Sequence, residues 1–187
     1  NQKLYECFVE VFSVSGDVAG VIGVHLPNLT NSDVQSLTIG GSDQIFRLPQ
    51  NLGDFFPNLI SLNVSHAELV EIKNVNLQTT PRLQYFTLYD VLVHSIPGYL
   101  FKYTPNIQEI RIIVNELRFV NEHAFEGLSK VKILELSGNC TDKKVIALKS
   151  NGFQEFLNNV IGSCTEMDKL YCDFAMRGHK NDSYGCK

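Results

Sequence analysis

Residues 107–130 read IQEIRIIVNELRFVNEHAFEGLSK and contain the pattern that decides the fold. Apolar residues stand at the first, fourth and sixth positions of this stretch. The same spacing occurs five times in the chain, with starts that are 25, 24, 24 and 24 residues apart. The five motifs are Val34-x-x-Leu37-x-Ile39, Leu59-x-x-Leu62-x-Val64, Leu83-x-x-Phe86-x-Leu88, Ile107-x-x-Ile110-x-Ile112 and Val131-x-x-Leu134-x-Leu136.

Prolines mark the same register independently, because Pro57, Pro81 and Pro105 are also 24 residues apart. The segments between the motifs are apolar at fixed offsets, as at Val93, Ile96 and Phe101 and at Leu117, Val120, Phe125 and Leu128. Alternate residues of a short strand face one side, and a single strand cannot bury that face alone. Stacked units would bury it continuously, so the repeat predicts a solenoid with one short parallel strand per turn.

The fourth unit resembles the 24-residue extracellular form of the leucine-rich repeat, and the resemblance extends over about residues 34–141. It implies an α/β solenoid in the shape of a horseshoe, with the strands on the concave face. The repeat's usual asparagine is present at Asn115 and Asn139, whereas Ser42, Ala67 and Val91 replace it in other units. We therefore divide the chain into an N-terminal cap (1–33), five repeats (34–139) and a C-terminal disulfide-linked cap (140–187).

The N-terminal segment, residues 4–29, alternates like strands, with Tyr5, Cys7 and Val9 in one series and Val21-x-x-Val24-x-Leu26 in a second. Gly16-Asp17 lies between them, which favours a turn. We expect a β-hairpin similar to the N-terminal cap of this family. Such caps carry paired cysteines, and Cys7 has no neighbour of that kind, so it forms either an intermolecular bridge or a buried free thiol.

A helix is predicted after the last repeat, because Phe153, Phe156, Leu157, Val160 and Ile161 have the spacing of one apolar helical face. Asn151 and Gln154 fit a capping box before it. Four cysteines cluster in this region, which favours disulfides over a metal site, at Cys140, Cys164, Cys172 and Cys186. The layout resembles the C-terminal caps of secreted insect leucine-rich-repeat proteins, where a Cys140–Cys164 bridge would fix the helix. Sequence leaves the connectivity open.

Composition is that of one globular domain, with 187 residues and a net charge of −4. We expect no nucleic-acid partner and no membrane span, because the sequence has no basic run and no apolar stretch of about 18 residues. The clustered cysteines favour a secreted, extracellular protein whose signal peptide has been removed. N-x-[ST] sequons stand at Asn28, Asn63, Asn139 and Asn181. We expect glycans at Asn28 and Asn181, with Asn63 a further candidate that would obstruct the concave face, and none at Asn139.

The outward-facing strand residues are the candidate binding surface. Tyrosine and arginine are frequent binding hot spots, so we select Tyr85, Tyr89, Glu109, Arg111 and Ile113. The alternative is an ordinary sheet surface on which Arg111 pairs with Glu135. Five strands would offer an area on the order of 300 Å², against the ~800 Å² per partner of a standard interface. Flanking loops, a second copy of the chain or a smaller ligand would have to contribute.

No nucleophile motif, phosphate loop or pair of histidines with metal-ligand spacing is present, so we expect no enzyme activity, metal or cofactor. The leading hypothesis is a non-enzymatic recognition or adaptor protein for a protein or glycan ligand. The insect resemblance suggests a role in innate immunity or a salivary effector. The alternatives are a structural unit that forms a homo- or heterodimer through a repeat face or Cys7, and the ectodomain fragment of a leucine-rich-repeat receptor.

Overall fold

The computed structural model describes residues 4–9, 24–42, 46–113, 115, 117–138, 143–146, 155–161 and 164. These residues form a parallel β-solenoid of about four turns. Its strands are β1 (Glu6–Val9), β2 (Ser36–Ser42), β3 (Ser61–Ala67), β4 (Tyr85–Val91), β5 (Ser95–Ile96), β6 (Glu109–Ile113), β7 (Phe119–Val120), β8 (Ile133–Ser137) and β9 (Lys143–Ile146).

The main sheet of the described residues has the strand order β1-β2-β3-β4-β6-β8-β9. Every pair from β1 to β8 is parallel, and Leu37 faces Leu62, which faces Phe86, in strict register. Equivalent positions of successive repeats therefore lie side by side, as the 24-residue period predicts. The solenoid of parallel strands predicted from the sequence is confirmed.

The return segments contain little regular structure. Short helical turns occur at Asn31–Asp33, Leu52–Phe55 and Asn74–Leu77. A second, two-stranded parallel ladder joins β5 to β7, and a single bridge joins Arg47 to Glu71 at the equivalent position of earlier turns. Each turn thus crosses from the main sheet to this ladder and back.

The core lies between the main sheet and the return segments. All fifteen apolar residues of the five motifs are at most 7% exposed. Phe101 joins consecutive turns: its ring contacts Phe86 edge-on at 5.5 Å between centroids and stacks on Phe125 at 6.1 Å. Aromatic pairs in these geometries add stability beyond the area that they bury.

Asn115 fills the usual asparagine position of the repeat and is buried. Its side-chain oxygen accepts a hydrogen bond of 3.0 Å from the backbone N–H of Val91, and its side-chain nitrogen donates to the carbonyl oxygens of Leu88 and Ile113. One side chain thus satisfies backbone groups of two neighbouring turns. Asn139 lies outside the described residues.

The predicted N-terminal hairpin is not confirmed. Strand β1 pairs in parallel with β2, as a further strand of the solenoid sheet. The proposed second strand is wrong at Val24–Leu26, where the backbone forms no strand and Val24 and Leu26 are exposed. Instead of a strand partner, this segment has a polar anchor, in which the Tyr5 hydroxyl lies 3.0 Å from His25 Nδ1 and accepts the N–H of Leu26. Residues 10–23 lie outside the described chain.

The C-terminal helix is present over residues 155–161. Phe156, Leu157 and Val160 are buried in the same core cluster as the repeats. Phe153 and the predicted capping box lie outside the described residues. The buried Cys164 is disulfide-bonded. The other three cysteines of this region are not described, so their pairing stays a prediction.

Strand β9 was not expected from the sequence. It pairs antiparallel with β8, with Ile133 opposite Ile146 and Leu136 opposite Lys143. The sequence shows no repeat motif here because an antiparallel strand does not follow the solenoid period. Its backbone satisfies the edge of the last parallel strand, which would otherwise expose unpaired peptide groups.

Replacing Asn115 by alanine should lower the free energy of unfolding by about 1–3 kcal/mol, because buried backbone groups of two turns lose their partner. The matched control is Asn106→Ala, which removes a longer bond of 3.3 Å to the Pro81 carbonyl at an exposed site. Urea denaturation of both variants measures the difference. Equal losses for the two variants would contradict the role assigned to Asn115.

Two glycines should respond very differently to alanine. Gly53 is buried, and a Cβ there would overlap the backbone carbonyl of Thr79 in the next turn. Gly127 has φ of +79°, but a Cβ there would meet no atom within 4 Å. Gly53→Ala should cost at least about 3 kcal/mol, since two turns must move apart. Gly127→Ala should cost about 1 kcal/mol of backbone strain. Thermal and urea unfolding test the order, and a reversal would show that the turns at Gly53 are not this close.

Candidate ligand-binding surface

The outward-facing residues of the main sheet form three rows across the strands, as the pairing register requires. We call the surface that they form the concave face. The first row is Glu6, Ser36, Ser61, Tyr85, Glu109 and Ile133; the second is Phe8, Thr38, Asn63, Thr87, Arg111 and Glu135; the third is Gly40, Ser65, Tyr89, Ile113 and Ser137.

The relief of this face changes along the solenoid. Strands β2 and β3 present mainly small side chains, such as Ser36, Thr38 and Ser65, whereas β4 and β6 present the large ones. Tyr85 lies directly beside Glu109, and Tyr89 beside Ile113. The five selected residues are therefore brought together on two neighbouring strands. A shallow trough over β2 and β3 adjoins them.

Arg111 is held by two carboxylates. Its guanidinium donates to Glu135 at 2.9 Å and to Glu109 at 3.3 Å. The Glu135 side chain is only 11% exposed, whereas that of Arg111 is 34% exposed. The pairing that was the alternative interpretation of Arg111 is thus formed in the structure. The guanidinium is fixed in position, and two of its charge-assisted bonds stabilise the sheet.

Tyr89 lies at the rim, next to a pair of polar residues. Its ring meets His66 edge-on at 5.2 Å, and His66 Nδ1 lies 2.9 Å from Asp90 Oδ2. His66 and Asp90 have φ of +51° and +53°, a left-handed conformation that other turns assign to Gly41 and Gly138 at the equivalent position. Non-glycine residues are uncommon in this conformation, and such strain is concentrated at functional sites. Sequence analysis did not select this pair.

Phe8 and Glu6 extend the concave face by one strand. Phe8 is 59% exposed, and Glu6 accepts a hydrogen bond from the Thr38 hydroxyl at 3.2 Å. Both were missed because residues 4–9 were assigned to a cap hairpin. A signal existed, since Leu4-x-x-Cys7-x-Val9 has the motif spacing, but it stands 30 residues before Val34 and so escapes the 24-residue period. Six parallel strands give a face about 29 Å wide at ~4.8 Å per strand.

Two predicted modification sites are described. Asn28 is exposed in a turn and has φ of +67°, a position open to a glycan. Asn63 lies in the second row of the concave face, where its side-chain oxygen is covered and has no hydrogen-bond partner among the described residues. Asn181 lies outside the described residues. Glycosylation at each of these positions stays a prediction.

Cys7 is a free thiol on β1, partly buried against the core, with its Cα opposite that of Leu37. The described residues contain no cluster of three side chains suited to a metal ion. None of the helices in the described part of the chain has the length and apolar character needed to cross a bilayer.

Known proteins share this architecture. Residues 81–140 match the family model described as leucine rich repeat. The solenoid is of the leucine-rich-repeat type. Leucine-rich repeat-containing G-protein coupled receptor 5 of Rattus norvegicus is 30% identical over 114 residues, which are 60% of this chain and 12% of the receptor.

Two solved structures share the fold over part of their length. In the Toll–Spatzle complex of Drosophila, the similar chain is 15% identical with a TM-score of 0.54, over 61% of this chain and 16% of that one. In the TLR13–ssRNA13 complex it is 22% identical with a TM-score of 0.50, over 57% and 15%. This leucine-rich-repeat chain thus spans less than a fifth of each relative's length.

Replacing Arg111 by methionine should cost about 1–3 kcal/mol of stability, because the poorly exposed Glu135 loses its charged partner. The double variant Arg111→Met/Glu135→Gln should recover part of this loss, since the unbalanced charge is then removed as well. A double-mutant cycle by urea denaturation measures the coupling. A loss below ~0.5 kcal/mol for Arg111→Met would show that the pair is screened by solvent.

Proposed function

We propose that this chain is a secreted, non-enzymatic recognition module that binds a protein ligand through the concave face. The observation that carries the proposal is the set of apolar side chains on a sheet surface that no described residue covers. Tyr89 and Phe8 are 39% and 59% exposed, and Ile113 is half-buried beside Tyr89. An aromatic residue on the solvent face of a parallel sheet adds nothing to the core, whereas it is a frequent anchor in interfaces.

The fixed charges support the same role. Arg111 is already oriented by Glu109 and Glu135, so a ligand that contacts this network need not order a flexible side chain. Such preorganisation lowers the entropic cost of binding. The network would set the orientation of the partner, and the neighbouring Tyr85 and Tyr89 would supply most of the affinity.

The size of the face determines what must surround it. A width of about 29 Å with three residues per strand remains well below the ~800 Å² of a standard interface. The rim pair His66–Asp90 adjoins Tyr89 and extends the contact area on one side. A protein partner that reaches over this rim would meet the remaining requirement.

The comparisons support an extracellular setting. Toll is described as part of a molecular hub in development and innate immunity, where it forms a complex with Spatzle. We infer that this chain acts in innate immunity outside the cell, as an adaptor that captures a protein. The disulfide-bonded Cys164 is consistent with an oxidising compartment.

A second candidate is a segment of a receptor ectodomain. The rat receptor is 30% identical over 114 residues, and that stretch is only 12% of its length. In such a receptor this chain would be one part of a longer solenoid, and the concave face would continue beyond it. The sequence of the full-length transcript distinguishes this candidate from a separate secreted adaptor.

Replacing Tyr89 by alanine should reduce capture of the partner at least tenfold, as truncation of a central aromatic anchor does. The control is Tyr99→Ala, which removes a tyrosine that is 45% exposed in a return segment. Immobilised wild type and both variants are incubated with native extracellular fluid, and the bound proteins are quantified by mass spectrometry.

Proteins lost with Tyr89→Ala and retained with Tyr99→Ala are the ligands of the concave face. An identical set on all three proteins would contradict the proposal. Light scattering and non-reducing electrophoresis of the wild type are run alongside. A disulfide-linked dimer through Cys7 would favour the assembly role instead.

A further inference from the structure

The edge of the main sheet, just before the strands begin, has two rows of mostly polar side chains. Each row places one residue per turn at a constant 24- or 25-residue interval. We call them the outer edge row and the inner edge row. The outer edge row is Asp33, Asn58, Arg82, Asn106 and Lys130, and the inner edge row is Gln35, Ile60, Gln84, Gln108 and Lys132.

Side chains of the outer edge row bond from turn to turn. Arg82 donates to the side-chain oxygen of Asn58, and Lys130 donates to that of Asn106 at 2.6 Å. Asn58 in turn donates to the Ser32 carbonyl at 2.7 Å. Arg82 and Lys130 therefore have the same role, two turns apart.

The inner edge row bonds in the same way at one end only. Lys132 donates to the side-chain oxygen of Gln108 at 2.7 Å, and Gln108 donates to that of Gln84 at 2.8 Å. The next position is Ile60, which cannot continue the series. The backbone stays in register, because Ile60 N–H donates to the Gln35 carbonyl and Gln84 N–H to the Ile60 carbonyl. The interruption is thus a change of side chain alone.

A cavity opens where the inner edge row is interrupted. It has a volume of about 240 Å³ and is lined by Ser32, Asp33, Gln35, Asn58, Ile60, Arg82 and Gln84. At about 30 Å³ per water molecule, the cavity holds roughly eight waters, so it suits a small ligand and not a peptide helix.

Several polar groups of the lining have no partner among the described residues. Gln84 uses its side-chain oxygen for Gln108, which leaves its NH₂ group available. Arg82 uses one nitrogen for Asn58. Asp33 uses one carboxylate oxygen for Thr30, and the Gln35 side chain makes no bond to another described residue. Free donors and free acceptors therefore alternate around the apolar Ile60.

The charges of the lining balance, since Asp33 stands on one side of Ile60 and Arg82 on the other. An anion would meet the Asp33 carboxylate, and a cation would meet the Arg82 guanidinium. A hydroxyl group donates one hydrogen bond and accepts two, so several hydroxyls on one small molecule match alternating donors and acceptors. The C–H face of a sugar ring matches Ile60.

We propose that this cavity binds one neutral sugar residue, with its hydroxyls bonded to Asp33, Gln35, Arg82 and Gln84 and its ring against Ile60. The site lies at the sheet edge and shares no residue with the concave face, so it does not depend on the proposed protein ligand. The interrupted row explains why the cavity is here, because a glutamine at position 60 would fill it.

The test is a titration of the ¹⁵N-labelled chain with glucose, mannose, galactose and N-acetylglucosamine, each up to 50 mM. The side-chain NH₂ signals of Gln35, Asn58 and Gln84 in ¹H–¹⁵N correlation spectra report binding at the cavity itself. A neutral sugar of about a dozen non-hydrogen atoms should bind with a dissociation constant on the order of a few millimolar. Glucuronate and a Lys-Ala-Ala-Glu peptide are titrated in parallel.

The variant is Arg82→Met, and its matched control is Lys130→Met, because both cations bond an asparagine of the preceding turn and only Arg82 lines the cavity. Arg82→Met should weaken sugar binding about tenfold, whereas Lys130→Met should change it less than twofold. Saturable shifts of the three NH₂ signals with one or more neutral sugars, lost in Arg82→Met alone, support the site.

Three results would overturn the proposal: no saturable shift with any of the four sugars, saturable shifts with glucuronate or the charged peptide only, or equal weakening by Arg82→Met and Lys130→Met. The same spectra of the Tyr89→Ala variant separate the two proposals, because loss of the protein ligand should leave sugar binding at the edge unchanged.

Discussion

The structure depends on one constraint: a single strand with its return segment has no partner for its apolar face, so each turn must lie in register on the next. Leu37, Leu62, Phe86, Ile110 and Leu134 face one another in consecutive strands for this reason. The energy of burial is shared between neighbours, as in other quasi-one-dimensional proteins. A shift of one residue in any turn would expose its whole apolar set.

Exact stacking of equivalent positions also turns single side chains into series. An asparagine at one position satisfies the peptide groups of two turns, as Asn115 does. Polar residues along an edge bond from turn to turn, as Lys130 does with Asn106. Position 90 and its equivalents repeat a left-handed backbone, at Gly41, His66 and Gly138. The same geometry that forms the core thus organises the surface.

The repeat core could be predicted from sequence because its signal is periodic. Motif, proline spacing and apolar offsets agree, so parallel strands and buried positions followed. The ends could not be predicted in the same way. Strand β1 has the motif at a spacing of 30 residues, and β9 reverses direction, so neither obeys the period. Helix 155–161 was predicted because helical spacing is local and does not depend on the register of the repeats.

The candidate surfaces were partly visible. Register alone placed Tyr85, Tyr89, Arg111 and Ile113 on two neighbouring strands, since alternation in a strand determines which side chains face outward. The contacts of these residues were less accessible: that Arg111 is held by Glu109 as well as Glu135 depends on side-chain conformation.

A repeat protein provides its own internal standard for interpreting such surfaces. Every outward position has equivalents in other turns that fold equally well, so a departure at one turn has no structural cause in the period itself. Ile60 among glutamines, Tyr89 where β3 has Ser65, and His66 where other turns have glycine are departures of this kind. Core positions tolerate no such freedom. Departures at outward positions therefore indicate where selection acts on function, and here they cluster at the concave face, its rim and the cavity beside it.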